Sequence, residues 1–250
     1  MTTIQKERID KLLFNKGLVQ SREKAKALIM AGQIIVNDNR VDKAGTLVPV
    51  DSDIRIRGEQ MPFVSRGGLK LEHAIQHFNI NVGGKVAIDV GASTGGFTDC
   101  LLQRDIQKVY AIDVGYGQMD LKVKNDPRVT SIERTNIRDL PPEGIPEKAD
   151  LAVIDVSFIS LTKVLRHILP LLKEEAEIVA LIKPQFEVGK GEVGKGGIVK
   201  DPDKVDQVID DIICFIKQLG LTTKGTIESP ILGAKGNREI LIYIKKRNAV

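Results

Sequence analysis

The stretch Val86-Ala-Ile-Asp-Val-Gly-Ala-Ser-Thr-Gly-Gly-Phe-Thr98 constrains the fold more than any other. An apolar run of strand length passes into a glycine-rich turn and then a helix. A second apolar run, Val109-Tyr-Ala-Ile-Asp113, again ends in a carboxylate. Asp89 and Asp113 stand about 20 residues apart, near the spacing at which nucleotide-binding α/β folds set an acid against a ribose hydroxyl. Glycine is needed in the turn because the backbone must approach a ligand where side chains would collide. Around this unit apolar runs and helical patterns alternate, with strands expected over 85–90, 108–113, 129–133, 150–155 and 177–183. Helices are expected over 96–104, 161–173 and 203–219. That alternation predicts a mostly parallel sheet covered on both faces. Gly225–Pro230 and Arg238–Ile244 read as two more strands whose link is too short for a parallel crossover, so the C-terminal end of the sheet carries a reversed strand.

Ahead of this α/β region lies a segment of different character. Of the chain's net charge of +4, residues 1–60 supply +3, from 11 Lys and Arg against 8 Asp and Glu. A local basic excess points to an anionic partner, nucleic acid foremost. Ile9, Leu12, Leu13 and Leu18 give a helical stripe over residues 5–17. Ser21 can cap a second helix carrying Ala25, Leu28, Ile29 and Met30, closed by Gly32. Gln33–Val41 reads as a hairpin turning at Asp38-Asn39, and Asp53–Arg57 as a last strand. On Arg8-Ile-Asp-Lys-Leu-Leu, Ser21-Arg-Glu-Lys-Ala and Gly32-Gln-Ile-Ile-Val-Asn, the segment resembles the S4 RNA-binding domain. The resemblance implies that Arg8, Lys11, Arg22, Lys24 and Lys26 face RNA phosphates, and we add Arg66 to that set. The expected organisation is an S4-like α+β domain over 1–60, a linker over 61–69 punctuated by Pro62 and Gly67-Gly68, and the α/β domain over 70–250.

The glycine-rich turn discriminates between ligands. Gly91–Thr98 is one residue from a phosphate-cradling loop, but Phe97 stands where that loop needs its lysine, and a phosphate would lack its main point charge. A dinucleotide fingerprint would have glycine where Ser93 stands. The remaining pattern, D-x-G-x-S-x-G with an acid closing the next strand, resembles the first two motifs of S-adenosylmethionine-dependent methyltransferases. Gly91, Ser93, Gly95 and Phe97 are then candidates to hold the donor and Asp113 to accept from its ribose, with Asp89 and Asp139 completing the set.

Ligands on open α/β sheets bind beyond the carboxyl ends of the strands. The polar residues expected at that rim include Asp155, Lys183 and Glu239, with Lys70 opening the helix that precedes the first strand. Two bases and two acids there suit methyl transfer to a ribose 2′-hydroxyl, a poor nucleophile until its proton is removed. Lys183 is the candidate proton acceptor, Lys70 its positive neighbour, and Asp155 and Glu239 the orienting carboxylates. With Val64-Ser-Arg-Gly-Gly-Leu-Lys70, Asp155-Val-Ser-Phe-Ile-Ser160, Lys183-Pro-Gln-Phe-Glu187 and Gly236-Asn-Arg-Glu239 added to the glycine-rich motif, the chain resembles the TlyA-type family over nearly its whole length. These proteins join an S4 domain to an FtsJ-like methyltransferase, and are known both as haemolysins and as ribosomal RNA 2′-O-methyltransferases. The resemblance implies a Rossmann-like methyltransferase domain, a Lys70–Asp155–Lys183–Glu239 tetrad, S-adenosylmethionine as cofactor, ribosomal RNA or ribosomal subunits as partner, and cytidine riboses as targets.

Other readings fit less well. Asp155-Val-Ser-Phe158 lacks the prolines of the D-P-P-F motif of amino-group methyltransferases. Cytosine C5 chemistry needs a catalytic thiol, and Cys100 and Cys214 both read as helix core. His73 and His77 share a helix face but have no third ligand, so no metal is expected. A membrane-active haemolysin would need an apolar span or an amphipathic helix, and no run of 18 apolar residues or N-terminal leader is evident, which predicts a cytoplasmic protein. A non-catalytic ribosome-binding factor is the remaining alternative. Phe186–Gly197, with five glycines and two lysines in twelve residues, reads either as a lid over the substrate strand or as an ordinary flexible surface loop.

Overall fold

The computed structural model describes residues 5–57, 61–189, 191–194, 196–233 and 236–246. The chain divides into two compact units, Met1–Gln60 and Met61–Val250. The smaller unit runs β1 (Lys6–Arg8), α1 (Ile9–Asn15), α2 (Arg22–Met30), β2 (Ile34–Val36), β3 (Asn39–Val41), β4 (Leu47–Pro49) and β5 (Ile54–Ile56). Ile9, Leu12, Leu13, Ala25, Ile29 and Ile34 form its core. Ser21 caps α2, its hydroxyl accepting from the Lys24 amide at 3.2 Å, and Gly32 leaves the helix at φ +67°. Two details differ from the sequence reading. Residues 6–8 are not the start of the first helix but a strand paired with β4, which puts Arg8 at the N-cap of α1. The hairpin turns one residue earlier than expected, at Asn37 and Asp38, both with positive φ, and Asn39 already pairs with Val36. A tight two-residue turn requires that left-handed pair.

In the larger unit a seven-stranded sheet is built from β6 (Val86–Val90), β7 (Lys108–Ile112), β8 (Val129–Ile132), β9 (Ala149–Ile154), β10 (Leu172–Ile182), β11 (Thr222–Glu228) and β12 (Ile240–Lys245), in the order β11-β12-β10-β9-β6-β7-β8. Strand β12 runs antiparallel to both its neighbours, and the remaining pairings are parallel. This is the Rossmann-like sheet with a reversed C-terminal strand. Its helices are α3 (Gly67–Phe78), α4 (Gly96–Leu102), α5 (Leu121–Lys124), α6 (Leu161–Ile168), α7 (Pro184–Glu187) and α8 (Pro202–Gln218). Ile88, Ile154 and Ile178 pack on α6 and α8, while Ala87, Val153 and Val179 pack on α3 and α4. Strands buried on both faces explain their continuous apolar runs.

Three boundaries shift. Helix α3 begins at Gly67, three residues before Lys70, because Phe63 packs against Gly68 so closely that a Cβ there would lie 2.3 Å from its ring. The Val64 amide also bonds the Asp99 carboxylate at 2.8 Å. Helix α6 stops at Ile168, since Pro170 cannot continue it, and β10 starts five residues earlier than expected, joining β9 through a register shift between Leu172 and Glu177. Cys214 is exposed rather than core, because the buried stripe of α8 is Val205, Val208, Ile212 and Ile216.

The chain leaves β6 for β7 on one side and later returns to β9 on the other, so the carboxyl end of β6 is the topological switch point where such sheets bind ligands. Gly91 follows it at φ +85°, and a Cβ there would sit 2.4 Å from the Asp155 carbonyl oxygen. Gly91→Ala should therefore cost upward of ~2 kcal/mol, combining backbone strain with a backbone clash. Gly84→Ala, also at positive φ but with open space around it, should cost only about 1 kcal/mol. Thermal or urea melts of both variants check the difference.

Candidate active site

A cavity of about 250 Å³ opens at the switch point, lined among others by Arg66, Lys70, Gly91, Ser93, Phe97 and Asp155. The glycine-rich turn forms one wall. Gly91, Ser93 and Gly95 all have positive φ, and the Gly91 and Ala92 amides bond the carbonyl of Ile112 at 2.9 and 3.3 Å. Asp113, at the end of β7, accepts from the Ser93 amide at 2.8 Å and the Gly115 amide at 2.6 Å. Two backbone donors keep it in place, and each oxygen retains a further lone pair for a hydroxyl. Phe97 is buried at the start of α4 and supplies an apolar floor.

Gly95, Asp113, Asp89 and Asp139 lie outside this lining, the first two at its edge, Gly95 through the turn and Asp113 through its hydrogen bond from the Ser93 amide. Asp139 is exposed in the loop after β8. Asp89 is fully buried beneath the turn, where one oxygen accepts from the Thr98 hydroxyl at 2.6 Å and the other has no partner. Burial pushes its carboxyl up to about 7, with the Thr98 hydroxyl opposing and the charges of Asp155 and Asp113 adding to the rise.

Lys70 and Asp155 line the other wall, and their ion pairs extend to Lys183 and Glu239, so the four residues expected at the strand ends meet in one cluster. Lys70 in α3 donates to Glu239 at 2.6 Å and lies 3.7 Å from Asp155. Lys183, just after β10, lies 2.6 Å from the other oxygen of Asp155, off the hydrogen-bond direction, and donates to the Ser157 hydroxyl at 2.9 Å. Lys70, Lys183 and Glu239 are each at most 9% exposed. The result is a continuous chain of alternating charge, Lys183–Asp155–Lys70–Glu239, beside the glycine turn. Glu239 is fixed just before the reversed strand, against Gly233, where a Cβ would overlap its carboxylate.

Phe158 did not stand out in the sequence. It has φ +64°, is 90% exposed, and its ring lies 4.9 Å from that of Phe186, joining the Asp155 and Lys183 loops at their outer side. A bulky residue held at positive φ and left in solvent is a costly arrangement for a folded chain. The available signal was an aromatic residue three places after a rim carboxylate, in a chain with only seven Phe and no Trp.

A glycine cradle ending in a ribose-type acid, joined to a Lys-Asp-Lys-Glu chain, narrows the family, and the comparison with known proteins decides it. The FtsJ-like methyltransferase family matches residues 63–246, and the S4 domain matches residues 7–54. The chain belongs to the FtsJ-like methyltransferase family. It is 41% identical over 242 residues, covering 96% of this chain and 90% of the relative, to the 16S/23S rRNA (cytidine-2′-O)-methyltransferase TlyA of Mycobacterium tuberculosis. It is 40% identical to hemolysin A of Brachyspira hyodysenteriae, over 94% of this chain and 98% of that one. A solved structure named as a hemolysin from Streptococcus thermophilus superposes with a TM-score of 0.76 at 40% identity, covering 99% of this chain and 90% of that one. Among the described residues no helix is long and apolar enough to cross a membrane.

In this FtsJ-like chain the basic residues of the smaller unit fall into two groups. Arg8 and Arg22 both bind Asp10, and Lys11 pairs with Glu7 at 3.0 Å. Lys24 and Lys26 are exposed on α2, and Arg66, in the larger unit, is exposed at the cavity. Cys100 is buried, and burial raises its thiol above the ordinary range, with Glu72 adding to the rise, which makes it a poor nucleophile. Lys190 and Lys195 of the glycine-rich segment lie outside the described residues.

The buried Asp89 gives a pH signature. The folded chain keeps a proton on it between its ordinary value of 3.8 and about 7, where the unfolded chain has released it. The contribution to stability therefore falls as pH rises through that window and is constant above it. Asp89→Asn lacks this titration. The stability of the parent minus that of the variant should drop by roughly 2–4 kcal/mol between pH 4 and pH 8 in urea melts. A constant difference would mean that Asp89 carries its full charge in the fold.

Proposed function

We propose that this chain transfers a methyl group from S-adenosylmethionine to a ribose 2′-hydroxyl in ribosomal RNA, with cytidine as the target nucleoside. The observation that carries the proposal is the Lys183–Asp155–Lys70–Glu239 chain beside a glycine-rich turn at the switch point of the sheet. Among the described relatives, TlyA of Mycobacterium tuberculosis bears the name of this activity.

The residues fit the donor. Gly91, Ser93 and Phe97 line the cavity and Gly95 continues the same positive-φ turn, while Asp113 offers its remaining lone pairs to the ribose hydroxyls. S-adenosylmethionine, when bound, supplies an electrophilic sulfonium methyl that needs little activation. The chain's own task is to make the hydroxyl nucleophilic. Lys70 touches two carboxylates, whereas Lys183 has one carboxylate and a neutral hydroxyl, which leaves Lys183 the less committed of the two amines. Lys183 takes the 2′-hydroxyl proton, Lys70 remains the fixed positive neighbour, and Asp155 and Glu239 hold both amines in place. Phe158, exposed and backed by Phe186, offers a stacking face for the target base once it leaves its helix. Arg8, Lys11, Arg22, Lys24 and Lys26, with Arg66 at the cavity, position the RNA through phosphates.

Two outcomes test this. Asp113→Ala should weaken S-adenosylmethionine binding at least about tenfold in calorimetry, since hydrogen bonds to a charged group are worth about 1.5–3 kcal/mol each. Unchanged affinity would remove Asp113 from the donor site. Lys183→Ala should slow single-turnover methylation by about 10²–10⁴ while donor and RNA affinity hold. Lys183→Arg should be nearly as slow, because a guanidinium keeps its proton. A fast Arg variant would contradict the proton-acceptor role.

A further inference from the structure

Asp10 is the one fully buried carboxylate in the described part of the smaller unit, and it is not placed as a core residue would be. Its two oxygens accept from Arg8 Nε at 3.0 Å, Arg8 Nη2 at 3.2 Å and Arg22 Nη2 at 2.8 Å. The arginines come from different elements, Arg8 from the end of β1 and Arg22 from the first turn of α2. The Asp10 side chain is 0% exposed, while those of Arg8 and Arg22 are 51% and 45% exposed. A guanidinium has five N–H donors. Arg8 gives two to Asp10 and Arg22 gives one; among the described residues neither side chain has another hydrogen-bond partner, although Arg22 also feels the exposed Glu23 carboxylate.

We infer that Asp10 is a positioning residue that fixes Arg8 and Arg22 as a paired guanidinium fork for the phosphates of an RNA backbone.

A purely structural role accounts poorly for the cluster. Well-packed apolar side chains usually serve a core at least as well as buried ion pairs do. Here one buried carboxylate is matched by two cations, and most of their N–H donors have no hydrogen-bond partner among the described residues. Burial raises the Asp10 carboxyl, but the bonds from Arg8 and Arg22 more than offset this and hold it at about 2, so the anchor stays charged at any working pH. Fixing a long side chain beforehand removes the entropy it would otherwise lose on binding, and the planar fork matches phosphate in two-point geometry. RNA is favoured over an acidic protein as the occupant because residues 7–54 match the S4 domain, and Lys24 and Lys26 stand exposed on the same helix as Arg22. The inference rests on the reading that the smaller unit binds RNA.

The test uses the full chain with a labelled RNA hairpin and with bacterial ribosomal subunits, titrated at several salt concentrations. Asp10→Asn removes a negative charge, so charge alone would raise RNA affinity. The inference requires the opposite, a fall of about tenfold with a salt slope shallower by about one. Equal or tighter binding by a folded Asp10→Asn chain overturns it. If Asp10→Asn melts early, Arg22→Lys decides the matter. It keeps the charge but not the fork, so it should lose nearly as much affinity as Arg22→Ala, and full retention overturns the inference. Arg8→Ala and Arg22→Ala test the underlying reading separately. If neither weakens binding, the smaller unit does not hold RNA through this face. If both weaken it while Asp10→Asn does not, only the positioning role of Asp10 fails.

Discussion

The alternating ion pairs from Lys183 through Asp155 and Lys70 to Glu239 are the interaction on which the rest of the larger unit depends. Each member is mostly buried, and a buried charge stripped of its partner costs about 3–5 kcal/mol. The four residues come from a helix, two parallel strand ends and the start of a reversed strand, so the chain of charge forms only when all those elements are in register. The antiparallel placement of β12 has a clear purpose in this light. It brings Glu239 to the rim where the parallel strands end, which a parallel strand entered at that point would not do.

The donor cradle shares this dependence. Gly91 lies so close to the Asp155 backbone that the turn and this carboxylate are packed as one piece. Asp113 is fastened to the same turn through the Ser93 amide, and α4 is fastened to the start of α3 through Asp99 and Val64. Helix α3 then carries Lys70 into the rim. The glycine turn and the four-residue chain of ion pairs are thus mutually braced, as the proposed methyl transfer would need.

Much of this could be read from the sequence, and what could not has identifiable causes. Long apolar runs with acids or lysines at their ends disclosed the sheet and its rim, because strands buried on both faces leave little ambiguity in period. The reversal of β12 followed from loop length alone. Contacts between distant segments were hidden. Residues 6–8 look like the first turn of a helix until β4 pairs with them. The start of β10 is masked by Lys173-Glu-Glu175, which reads as helical, and Pro170 was the missed stop signal. Cys214 lies among apolar residues in sequence but off their stripe in space. Asp89 looked like a ligand residue by spacing, yet the fold buries it completely beneath the turn. The strained, exposed Phe158 and the Asp10 arginine fork depend on backbone angle and convergence, which composition and periodicity do not encode.

The most direct measurement is the identity of the methylated product. The purified chain is incubated with radiolabelled S-adenosylmethionine and unmodified bacterial ribosomal subunits, and the RNA is digested to nucleosides and separated. The account predicts label in 2′-O-methylcytidine, with the modified position resistant to alkaline cleavage because its 2′-oxygen is blocked. Label on a nucleobase, or no transfer by a folded chain that binds the donor, would contradict it.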